Sequence, residues 1–302
     1  MPSSPRRKLK DIRRSYTGED KASAKAGVGR GDLGLDRCSP PQRRFRALLA
    51  IYLFNANMAN TPFDAQHSAY AFLSYSMAVS PWFDAFVCVV PRAVENVVGR
   101  LLASPTDRDL QYGVPGLRVT AAVDFRTYHL VHLPTGAKMV IASRADFPPV
   151  SEIQRVGPYR ETWSAEHYVG AENPLTEVER EALSRIPSMS SGIERILAAL
   201  VSRLDTRDPS GKWAMGMWWY DPLLRPRPAE YRRGRKIALW GQGSTWDLRW
   251  NGWPSPEDLI ACLTAPVIGV PHLTAAQRSS SEWVITLDGC HLTLRYAPYE
   301  RP

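Results

Sequence analysis

The sequence is short of the residues that usually announce a chemistry. Its four cysteines, Cys38, Cys88, Cys262 and Cys290, stand far apart, so no close pair suits zinc or a redox site. They read as reduced thiols in a cytoplasmic protein. Histidine is also sparse at six. His129 and His132 lie three apart on a predicted strand, which sends them to opposite faces and excludes a chelating pair. No metal and no cofactor is therefore expected. G-x-S-x-G and serine–lysine nucleophile signatures are absent, and no catalytic residue stands out. No run nears the roughly 20 apolar residues that cross a bilayer. The longest, "ALLAIYLF", covers Ala47 to Phe54, so no membrane span is expected. The basic N-terminus has no apolar segment behind it, which argues against a secretory signal, and Pro2 excludes N-myristoylation.

What is present is an uneven charge. The chain carries +8, and residues 1–46 hold 13 Lys and Arg against 5 Asp and Glu. The remainder is balanced at 25 of each sign, so the excess sits on one segment. Residues 1–40 have few large apolar side chains, and burial cannot offset their ordering entropy. A flexible basic tail is the expectation. Within it Leu9, Ile12 and Tyr16 would share a helical face, ringed by Arg6, Arg7, Lys8, Lys10, Arg13 and Arg14. Gly29, Gly31 and Gly34 match G-x-G-x-x-G but lack the preceding strand of a dinucleotide site, and read as linker.

An α+β fold is expected, in four parts: the tail (1–40), an α+β domain (41–150), an irregular segment with a helical connector (151–210), and a tryptophan-rich α+β domain (211–302). Phe45, Leu48, Leu49, Tyr52 and Leu53 keep helical spacing, as do Val94, Val97, Val98, Leu101 and Leu102. Thr61–Pro62 opens a helix carrying Phe63, Tyr70, Leu73 and Met77 inward. "FDAFVCVV" (83–90) reads as a buried strand, and 117–143 as a meander. Thr176 with Glu179, and Ser191 with Glu194, fit capping boxes. The final ninety residues hold eight of ten tryptophans. There "KWAMGMWWY" reads as a central strand, and two hairpins flank a helix from Ser255–Pro256 to Leu263, giving an antiparallel sheet with one helix. No internal repeat is visible.

"RRGRKIALWGQGSTWDLRW" (232–250) reads as a hairpin with Gly241–Ser244 as its loop. Leu239 would face Trp246, and Ile237 would face Leu248. The other face would carry Lys236, Trp240 and Arg249, able to hold phosphates and stack a base. "HLT" occurs at 272–274 and 291–293. The second, in "HLTLRY", resembles the His-x-Thr motif of two-histidine phosphoesterases, which implies His291 and Thr293 as groups on a phosphodiester. The 19-residue spacing is shorter than that family's two-lobe arrangement.

The basic segment makes the strongest physical case, because cations release counterions from a phosphate backbone whatever its sequence. The expected function is a non-enzymatic nucleic-acid-associated accessory or regulatory protein, cytoplasmic and bacterial, with weak sequence selectivity. Its nucleic-acid contacts would be Arg6, Arg7, Lys8, Lys10, Arg13, Arg14, Lys236, Trp240 and Arg249. The alternatives are a phosphoesterase-like enzyme using His291 and Thr293, and an adaptor docking a protein partner.

Overall fold

Serine, threonine, aspartate and proline set where the helices begin. The computed structural model describes residues 4–55, 76–90, 94–102, 113–123, 126–143, 170–215, 237–251 and 254–297. α1 (Pro5–Thr17) opens on Ser4, whose hydroxyl accepts from the Arg7 amide, and closes on Gly18. α2 (Lys21–Gly27) opens on Asp20, which accepts from the Ala22 and Ser23 amides. α3 (Pro40–Leu53) starts behind Ser39 with proline in its first turn. α4 spans Val94–Leu101. α5 (Glu177–Ser184) carries the full Thr176–Glu179 capping box. α6 (Ser191–Ser202) is capped by Ser190, one residue before the expected position. Glu194 accordingly turns to α3 and accepts from Arg44 at 2.7 Å. α7 (Pro256–Thr264) is capped by Ser255.

Among the described residues, ten strands form two five-stranded mixed sheets. β1 (Ala78–Pro81), β2 (Ala85–Val90), β3 (Leu117–Val123), β4 (Thr127–His132) and β5 (Ala137–Ser143) make the first, in order β1-β2-β5-β4-β3. β6 (Ala238–Gln242), β7 (Thr245–Asn251), β8 (Thr274–Ser279), β9 (Glu282–Leu287) and β10 (Cys290–Ala297) make the second, in order β6-β7-β10-β9-β8. The two orders are the same. In each unit a helix precedes a hairpin, a second helix crosses over, and a three-strand meander follows. The meander's last strand returns parallel to the hairpin's second strand, as β5 does to β2 and β10 to β7. The C-terminal sheet is therefore mixed, not antiparallel as expected, and the chain contains a structural repeat that its residues conceal.

The units meet through their leading helices. α3 packs on α6, rests on β2 and β5, and reaches β6; α6 rests on β9 and β10 and reaches β1. This reciprocity is that of an approximate two-fold arrangement. Arg43 and Glu194, each four residues past its N-cap serine, approach to 4.0 Å at the seam. Asn55 joins the halves by pairing with β6: it accepts from the Leu239 amide at 3.0 Å and donates to the Leu239 carbonyl at 2.8 Å. One apolar cluster runs through both units and contains every expected core residue of α3 and α4.

Some expectations need correction. Met77 is 40% exposed, not buried, and the rest of the Thr61–Pro62 helix lies outside the described residues. Residues 216–220 of the expected central strand also lie outside them. Its beginning carries only an isolated bridge, Arg207 to Ala214, with Trp213 and Met215 buried. The 232–250 hairpin is shifted by two residues. Leu239 pairs with Leu248 and Gln242 with Thr245 across a Gly243–Ser244 turn. Gly243 alone has positive φ there, at 58°, as a type II′ turn requires. A shift of two preserves the faces, so Ile237, Leu239, Trp246, Leu248 and Trp250 are buried as expected.

Two buried titratable groups oppose each other in their pH dependence. Burial pulls His132 down to about 4, and its ring nitrogens pair with Thr135 Oγ1 and the Pro115 carbonyl. Burial raises Asp205 to about 6, although the Ser76 hydroxyl works against it. Between pH 7 and pH 5, protonation favours the unfolded chain at His132 by about 2 kcal/mol and the folded chain at Asp205 by about 1 kcal/mol. His132→Leu should therefore turn a fall in stability over that range into a rise, read by urea denaturation at each pH. Parallel curves for the two chains would contradict this assignment.

Candidate anionic-partner surface

Helix α1 divides its cations. The buried stripe runs through Lys10, Arg13 and Thr17, spaced i, i+3, i+7, rather than through Leu9, Ile12 and Tyr16. Ile12 is 38% exposed, while Leu9 and Tyr16 are half-buried. Arg13 is fully buried. Its Nε and Nη2 donate to the two Glu19 carboxylate oxygens at 2.7 and 2.6 Å, Nη1 to the Leu33 carbonyl, and Nη2 also to the Pro81 carbonyl on β1. One guanidinium thus ties α1 to the following turn, the 27–35 loop and the first sheet. The loop closes over it: a Cβ on Gly27 would lie 2.2 Å from the guanidinium carbon. Gly34, at φ 72°, would place one 1.9 Å from the Gly27 carbonyl oxygen. The glycine-rich stretch is packing, and no strand precedes it.

This corrects the expectation of a flexible tail for the described residues 4–40. The segment carries two capped helices, and Asp36 at its end binds Arg203 of the second unit through two contacts of 2.6 Å. The charge count missed this because arginine supplies both an apolar stem and a bidentate ion pair, so few large apolar side chains suffice. The available signal was the Lys10, Arg13 and Thr17 stripe with Glu19 just past the Gly18 cap, within reach of Arg13.

Arg6, Arg7, Lys8 and Arg14 face solvent. The first turn of α1 holds no acid, an arrangement that a helix dipole disfavours and an incoming anion relieves. None of these four has an ion-pair partner among the described residues; Arg14 donates only to the Glu19 carbonyl, at 3.4 Å. Lys21, Lys25 and Arg30 continue the exposed cations along α2 and the loop. Lys10 lies inward, 3.6 Å from Asp11, and with Arg13 leaves the interface.

The second expected surface is the outer face of the C-terminal sheet, read here in rows. One row runs Ala238, Arg249, Arg295 and Glu282; the next runs Trp240, Asp247, Thr293 and Val284. Arg295 is held by Asp247 and Glu282, each at 2.9 Å. Arg249 has no ion-pair partner among the described residues, and Trp240 is 41% exposed. Lys236 lies outside the described residues. Sequence reasoning missed Arg295 here, because only the parallel pairing of β7 with β10 sets it beside Arg249.

His291 faces Thr286 across the β9–β10 hairpin, with Nδ1 3.1 Å from the hydroxyl oxygen. Its row continues through Thr245 and Gln242 on one side and Thr274 on the other, with no carboxylate and no second histidine. His272 stands in the turn before β8 at φ 65°, two strands from β10. No group of three His, Cys, Asp or Glu suited to a metal occurs among the described residues. No described helix is long and apolar enough to cross a membrane. No family model, no curated protein and no solved structure matches this chain.

Proposed function

We propose that the protein is a non-enzymatic nucleic-acid-associated accessory or regulatory protein that grips phosphates with a folded basic helix. The carrying observation is the first turn of α1, where Arg6, Arg7 and Lys8 stand together, exposed and without acidic partners among the described residues. Because Arg13 anchors the helix, these side chains are held on a rigid element, and binding costs less ordering entropy than a floppy arm would. Trp240 and Arg249 on the outer sheet face support a second contact, one stacking on a base and the other meeting a phosphate. No base-reading helix is assigned, and the affinity is expected to be insensitive to sequence.

Arg6→Gln/Arg7→Gln/Lys8→Gln should weaken binding of duplexes of unrelated sequence by a similar factor, on the order of 100-fold near 0.1 M salt. The thermal midpoint should not fall, because these exposed side chains make no hydrogen bond or ion pair among the described residues and the helix dipole disfavours their charge. Fluorescence anisotropy with labelled DNA and RNA duplexes reads the effect. Equal affinity for the two proteins would remove this function. A partner protein retained at high salt on both chains would point to the adaptor instead.

A further inference from the structure

A small cavity of about 50 Å3 lies where α3, α6 and the 36–38 segment converge, away from the exposed face of α1. Arg43, Arg46 and Arg195 line it, with Asp36, Cys38 and Ser202. Arg46 is fully buried yet has no carboxylate within ion-pair distance among the described residues. Its Nη2 donates to the Trp82 and Ala85 carbonyls, and its Nη1 reaches the Ser202 hydroxyl at 3.4 Å. Its Nε is buried without a hydrogen-bond partner, as is that of Arg43, which stands 4.0 Å from a Glu194 carboxylate oxygen. A guanidinium is costly to bury without counter-charge, and carbonyl dipoles offset only part of that cost.

The neighbouring acids are committed elsewhere. Asp36 gives both oxygens to Arg203, Glu194 accepts from Arg44, and Asp288 binds Arg195. Arg43, Arg44, Arg46, Arg195 and Arg203 thus meet three carboxylates, which leaves two positive charges over. Cys38 adds no anion, since burial raises its thiol despite Arg46 and Arg43. The Nε–H groups of Arg46 and Arg43, both without a hydrogen-bond acceptor, can donate to the oxygens of a tetrahedral dianion in this compact space.

We propose that this cavity is a binding site for a tetrahedral oxyanion, phosphate or a phosphomonoester head, held by Arg46 and Arg43 from α3 and Arg195 from α6. The site bridges the two units, so its ligand stabilises their seam. It stands independently of the α1 surface.

The test uses the full chain labelled with 15N-arginine, titrated with sodium phosphate at constant ionic strength against sodium chloride. The Nε–H signals of Arg46 and Arg43 should shift saturably with phosphate and not with chloride. Arg195→Gln alters the cavity rim and releases the exposed Asp288; it should keep the folded spectrum and weaken phosphate roughly tenfold, the scale of one charge-assisted hydrogen bond. Arg43→Gln should do the same. Binding of inorganic phosphate alone assigns a free anion, and equal binding of adenosine 5′-monophosphate assigns the head of a larger ligand. Shifts that are linear, equal for chloride, or unchanged in affinity in both variants overturn the site.

Discussion

Glu179→Ala should cost about 3–5 kcal/mol, a large part of the roughly 5–15 kcal/mol that holds a typical domain together. Glu179 is the capping-box residue of α5, and its carboxylate does three jobs. It accepts from Arg118 Nη1 and Nη2 at 2.8 and 2.6 Å, from the Gly116 amide at 2.8 Å, and from the Thr176 amide at 2.9 Å. Both side chains of the ion pair are 1% exposed. Burial pushes the carboxyl up, but Arg118 and the two amides outweigh it and hold Glu179 below the ordinary range. A carboxyl depressed in this way contributes stability at neutral pH and loses it as pH falls through the folded value. The alanine chain leaves Arg118 charged, buried and without its acid. Arg118→Leu/Glu179→Leu should recover part of the loss, because a dry pair is replaced rather than broken. Urea denaturation reads both. A loss below about 1 kcal/mol for Glu179→Ala, the range of an exposed pair, would contradict the buried geometry.

Glu19→Ala should be comparable, at about 3–5 kcal/mol, for it strands Arg13. Its consequence is more local. Arg13 joins α1 to the Leu33 and Pro81 carbonyls, so the variant should detach α1 and α2 before the sheets unfold. Trypsin would then cut first after Lys21 and Lys25, at a rate many times that of the native chain. Cleavage starting elsewhere, or at an unchanged rate, would show that the segment is held by something other than this ion pair.

Elements that obey local rules were legible in the residues. The apolar stripes of α3 and α4 and the Thr176–Glu179 and Ser255 caps were each specified by neighbours within about one turn. Features decided over long distances were not. The parallel strand pairs join β2 to β5 and β7 to β10, roughly fifty residues apart in each unit. No spacing rule reports such a partner. The repeat stayed hidden because equivalent positions carry different residues: Arg43 on α3 corresponds to Glu194 on α6, which it faces across the seam. The N-terminal segment was misread for a related reason. Its charges were counted as solvated, whereas Arg13 acts as a core residue and Lys10 flanks it. Trp240 and Arg249 share the exposed sheet face that strand alternation gives them, whereas in α1 Arg6, Arg7, Lys8 and Arg14 are exposed around a buried stripe that periodicity did not identify.

In the proposed function α1 shares out its positive charge, with the Arg13 guanidinium buried and Arg6, Arg7 and Lys8 exposed. The most direct measurement is the salt dependence of duplex DNA affinity for the native chain beside Arg6→Gln/Arg7→Gln/Lys8→Gln. If those three side chains meet phosphates, the logarithmic slope should become shallower by about 2.7 while the fold's stability does not fall. Two parallel lines would mean that the outward cations touch no polyanion.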